Sequence, residues 1–151
     1  MPIDTLTTTS TLNTQVKAAL AGEIGRIHAS INHVPSTYVN VVFHELPADG
    51  VYTDGVPANP VLVSGWVRAG HPEVEATRLA TEIAAAVSRI ANVAVDRVLV
   101  MIQSSPARFA VEGGRVLPSP AKSRPGSPHN DNLHFSCGAT TSVSAHRTLR
   151  G

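Results

Sequence analysis

The stretch that decides the fold is PVLVSGWVRAGHPEVEATRLATEIAAAVSRIANVAVDRVLVMIQSSP, residues 60–106. It opens on a β-rich apolar run, Val61–Val67, and closes on a second, Val98–Ile102. Between them Ala76, Leu79, Ala80, Ile83, Val87 and Ile90 recur at the spacing of one helical face. Pro72 suits the first turn of that helix. A strand, a helix of this length and a second strand make a right-handed crossover with parallel strands.

The preceding half of the chain has the same order. PIDTLTTT reads as a strand, and Ser10 or Thr11 offers an N-cap. Val16, Leu20, Ile24, Ile27 and Ile31 then follow at helical spacing, and TYVNVVFHELP is the next strand. Pro2 aligns with Pro60, Tyr38 with Arg97 and Pro47 with Pro106, so the body reads as two tandem β-α-β repeats, about 2–47 and 60–106. The expected fold is α/β (α+β): one four-stranded sheet with two helices on one face. The strands are apolar at consecutive positions, which asks for burial on both faces. The helices cover one. Association with further copies is the expected cover for the other. VEGGRV, with its Gly113-Gly114 turn, reads as a short hairpin able to extend a neighbour's edge.

Composition narrows the function classes. The 151 residues suit one domain over 2–117, with an irregular Pro-, Ser-, Gly- and His-rich tail over 118–151. Hydrophobic residues make up 42% and aromatics only 4%, so the core is aliphatic. Twelve basic against eleven acidic residues leave a net charge of +1, no footprint for nucleic acid or a membrane surface. Cys137 is the only cysteine. No secretory leader or spanning segment is read, so a cytoplasmic protein is expected. The seven histidines suggest no metal site: His28 and His33 are five apart and do not share a helical face, and His129, His134 and His146 lie in the tail. No cofactor motif is read.

The first two residues raise the chemical question. Removal of Met1 would leave Pro2 as a secondary amine, a base on a rigid ring. A free α-amino group titrates near about 7.7–8.0, and burial or a neighbouring cation pushes that down. With the duplicated body, this chain resembles the tautomerase superfamily. The segments GRIHASI, SGWVRAGH and PARFAVEGGRVLPSP are similar to its cis-3-chloroacrylic acid dehalogenase group.

The resemblance implies a homotrimer acting on a small carboxylate, with the proline at a subunit boundary. Pro2 matches the catalytic proline, and Glu112 matches a glutamate that activates water. His28 and Arg68 match residues that bind the substrate carboxylate. The group's second arginine falls on His71 and its water-holding tyrosine on Met101. One cation and one hydroxyl are thereby replaced. The expected activity is keto–enol tautomerisation of a 2-oxo acid, aryl-pyruvate-like because Met101 makes the pocket drier. Three alternatives use the same fold: hydration or dehalogenation of unsaturated (3-halo)acrylic acids, cofactor-free oxygenation of a bound enolate, and a non-catalytic interaction protein.

Overall fold

A computed structural model describes residues 2–118; Met1 and the tail beyond Pro118 lie outside the described residues. β1 (Ile3–Thr8) leads into helix α1 (Thr14–Asn32) and β2 (Asn40–Glu45). A small hairpin follows, β3 (Tyr52–Thr53) and β4 (Val56–Pro57). The pattern then repeats as β5 (Val61–Arg68), α2 (Glu73–Ala91), β6 (Val98–Ser105) and a second hairpin, β7 (Val111–Glu112) with β8 (Arg115–Val116).

The main sheet has the order β2-β1-β5-β6. β1 pairs parallel with β2, and β5 parallel with β6, as crossover units require. The two units meet antiparallel along β1 and β5, with Ile3 opposite Trp66 and Thr8 opposite Val61. This join is a pseudo-two-fold axis. The helices are 19 residues each and start 59 apart. Both end on a left-handed residue, His33 at φ 52° and Asn92 at φ 53°. The hairpin turns, Asp54-Gly55 and Gly113-Gly114, take the same positive-φ pair. The faces of the strands require the same 59 there, since Ile3 and Leu62 share the outer face whereas Val61 points inward. Pro2 is therefore the counterpart of Val61, one residue from the expected Pro60.

Two other local expectations are corrected. The cap of α1 is Asn13, whose Oδ1 accepts from the Val16 amide at 2.9 Å, rather than Ser10 or Thr11. Pro72 sits just before α2 as its cap. Asp54-Gly55 marks a hairpin that the sequence reading passed over.

Leu20, Ile24, Ile27 and Ile31 of α1 interleave with Leu79, Ile83 and Val87 of α2 over the inward residues Leu6, Val61, Val63 and Val67. Each such side chain contributes about 1.5–3 kcal/mol by burial. The opposite face of the sheet is open in the single chain. The register sets its residues in three cross-strand rows: Asn40, Ile3, Trp66 and Gln103; Val42, Thr5, Ser64 and Met101; His44, Thr7, Leu62 and Leu99. Ile3, Val42, Trp66, Leu99 and Met101 are all exposed there.

Candidate active site at one end of the sheet

The parallel and antiparallel pairings bring four strand ends together. β1 and β2 begin where β5 and β6 finish. Pro2 precedes β1, is buried, and its carbonyl accepts from the Asn40 amide at 3.1 Å. Its ring nitrogen therefore heads the strand at the end where β5 delivers Arg68. Arg68 lies opposite Ser105, and its Nη1 donates to the Pro118 carbonyl at 3.1 Å. That bond ties the cation to the segment leaving the second hairpin. Past Gly70, whose φ of 117° suits glycine, His71 pairs through Nδ1 with Glu75 Oε2 at 3.2 Å.

Beneath this end lies a buried polar chain. His28 Nε2 donates to Asp4 Oδ2 at 2.8 Å, and Asn32 Nδ2 donates to His28 Nδ1 at 3.2 Å. Asp4 and His28 are fully buried, and Asn32 is 7% exposed. Asp4 Oδ1 has no partner. Room for the carboxylate exists because residue 65, opposite Asp4, is glycine. A Cβ there would sit 2.6 Å from Asp4 Oδ1 and from Ile102 Cδ1. The His28 ring is thus sealed and both its nitrogens are engaged, so a ligand carboxylate reaches it only by displacing Asp4 or Asn32. Asp4, Asn32 and Gly65 were missed from sequence. A lone aspartate in a threonine-rich strand reads as solvated, and its partner is 24 residues away.

The other candidates sit apart. Met101 is 52% exposed on the outer face, opposite Ser64 and two positions from the row of Ile3. Glu112 is exposed on the second hairpin, opposite Arg115. A single chain therefore gathers Pro2 and Arg68 at one sheet end with His71 close by in sequence, sets His28 underneath, and holds Met101 and Glu112 on surfaces open to a neighbour. Among the described residues, no cluster of His, Cys, Asp and Glu is arranged to hold a metal, and no helix is long and apolar enough to cross a membrane.

The family model Tautomerase_3, "Putative oxalocrotonate tautomerase enzyme", matches residues 1–129. Among curated proteins none matches. The solved structure of native Ps01740 is similar at 28% identity and a TM-score of 0.70, covering 73% of this chain and 99% of its own. N1, a member of the cis-3-chloroacrylic acid dehalogenase family, is similar at 23% identity and a TM-score of 0.74, covering 80% and 86%. R7 fused 4-OT, solved as an asymmetric trimer, is similar at 19% identity and a TM-score of 0.71, covering 76% and 94%. The last two likenesses carry the fold alone. A family match over that length, on a duplicated β-α-β scaffold with a proline heading its first strand, leaves one conclusion: the chain belongs to the Tautomerase_3 family of the tautomerase superfamily.

Proposed function

We propose that this chain is a cofactor-independent tautomerase in which Pro2, freed by removal of Met1, moves a proton on the enol of a 2-oxo acid. The observation that carries this reading is the placement of Pro2 at the sheet end where β5 delivers Arg68. Arg68 binds the substrate carboxylate and stabilises the charge of the adjoining enolate. It also favours the neutral amine, since a nearby cation disfavours a second one. The amine takes the proton from the enol oxygen, and the resulting ammonium returns it to carbon, giving the keto acid. His71 supplies a weaker second contact for the carboxylate. His28 acts through Asp4, fixing the start of β1 beneath the proline.

The open outer face supports a homotrimer, the state in which R7 fused 4-OT was solved. In such an assembly Met101 offers an apolar wall, which favours an aryl-pyruvate-like substrate over a small haloacrylate. A second reading, hydration or dehalogenation of an unsaturated acid with Glu112 positioning water, is favoured by the likeness to N1 and by a carboxylate standing free on its hairpin.

The test is turnover of an aryl enolpyruvate followed in the ultraviolet, in wild type and in Pro2→Ala. We expect Pro2→Ala to lose activity with its assembly intact. Unchanged turnover would remove the proline from the mechanism. Halide release from 3-halogenated acrylates, strong and dependent on Glu112, would favour the second reading.

A further inference from the structure

The pseudo-two-fold axis gives the sheet a second end equivalent to the first. Here β5 and β6 begin and β1 finishes. Val61 stands where Pro2 stands, and Arg97 where Tyr38 stands, both 59 residues on. A cavity of about 270 Å³ opens at this end. Leu6, Leu12, Val61 and Val93 form its apolar walls, and Arg97 lines it as a cation. Arg97 Nη2 donates to the Asn59 carbonyl, whereas Nε is buried with no acceptor. Among the described residues Arg97 also has no carboxylate partner. The carbonyl end of α2, at Ala91 and Asn92, shares the cavity wall and offsets part of the charge. It gives Nε no hydrogen bond.

Arg97 lines the cavity as a half-buried cation whose one recorded hydrogen bond goes to a neutral carbonyl, and an anion in the cavity would give its guanidinium a charged partner. The walls choose among anions. Apolar surface beside one guanidinium suits a short aliphatic carboxylate better than a strongly hydrated inorganic ion. The Ser10 and Thr11 side chains add polar partners, and the Thr8 hydroxyl accepts from the Ser10 amide at 3.0 Å. With Val61 in the proline's place, this end has no amine to act as base.

We propose that the Arg97 cavity is a second, non-catalytic binding site for a small organic carboxylate, the degenerate twin of the Pro2 end. It does not depend on Pro2 chemistry.

The experiment is a titration of the full chain with butyrate, read by amide shifts in a two-dimensional ¹⁵N spectrum, alongside neutral butyramide. Butyrate should move the amides of Ser10–Leu12 and of Asn92 and Val93 saturably, at a Kd of about 1 mM for so small a ligand. Arg97→Gln should weaken it about ten- to a hundredfold, the loss of one charge-assisted pair. Butyramide should not bind, which tests the charge without any mutation. Three outcomes overturn the proposal: shifts confined to Val67–Gly70 at the Pro2 end, equal binding of butyramide, or no saturable shift. Repeating the titration in Pro2→Ala separates the two ends, since the Arg97 site should be unaffected there.

Discussion

Replacing His28 by leucine isolates the energetics of the buried chain under β1. Asp4 is fully buried, and its carboxylate makes one hydrogen bond, from His28 at 2.8 Å. The other oxygen already lacks a partner. His28→Leu therefore leaves a buried carboxylate with no partner at all. Breaking one side of such a pair costs about 3–5 kcal/mol, a large part of a domain's ~5–15 kcal/mol. Asp4→Leu leaves the His28 ring still bonded to Asn32, and should cost about 1–3 kcal/mol. The double variant removes both polar groups and should cost less than His28→Leu alone, since two apolar side chains replace a pair whose desolvation was incompletely offset. Urea unfolding at one fixed protomer concentration gives the three values and their coupling. Additive losses, or a His28→Leu cost below about 1 kcal/mol, would refute the reasoning. They would mean that the carboxylate finds water or protonates once its partner has gone.

Three further outcomes follow from the same structure. Gly65→Ala puts a Cβ within 2.6 Å of both Asp4 Oδ1 and Ile102 Cδ1. It should cost about 1–3 kcal/mol in the same urea assay, and a neutral result would show that the Asp4 side chain yields freely. Met101→Glu, on a face that is open in the single chain, should leave far-UV dichroism unchanged and shift sedimentation from the proposed trimer to smaller species; an unaltered assembly would place the subunit contact elsewhere. Stability should fall in acid. The Arg26 guanidinium, with Arg89, holds Glu23 below its ordinary 4.5, and Lys17 at 2.6 Å does the same for Glu45. A depressed carboxylate contributes stability above pH 4.5 that is lost as pH falls through the folded value. The joint change Glu23→Gln and Glu45→Gln should flatten the urea midpoint against pH in that range, and an unchanged slope would assign the acid loss to other groups.

The duplicated architecture was legible because two signals coincide in each half: helical spacing in α1 and α2, and β-rich runs around them. The offset was misread by one at Pro60, because a proline identity outweighed the inward or outward parity that the sheet enforces. Both hairpins had their signal in Gly113-Gly114 and Asp54-Gly55, though only the first was used. The consecutive apolar residues of β5 and β6 ask for two covered faces, and the exposed outer-face residues Trp66, Leu99 and Met101 are that demand within one chain. The meeting of Pro2 and Arg68 at one end of the sheet was legible, because strand ends converge there by topology. It was not legible at Asp4, whose burial depends on a glycine on the neighbouring strand and a histidine on a helix. Nor was Arg97 visible as more than a counterpart of Tyr38, because its unpartnered Nε follows from three-dimensional packing.

The central claim is that the Pro2 ring nitrogen is a free, nucleophilic base. An acetylenic 2-oxo acid tests it most directly, because a neutral amine adds to the activated triple bond. Intact-mass and peptide mapping should show a chain lacking Met1, with one adduct on Pro2 formed in step with loss of enol turnover. A retained Met1, or inactivation with the adduct on any other residue, would contradict the account.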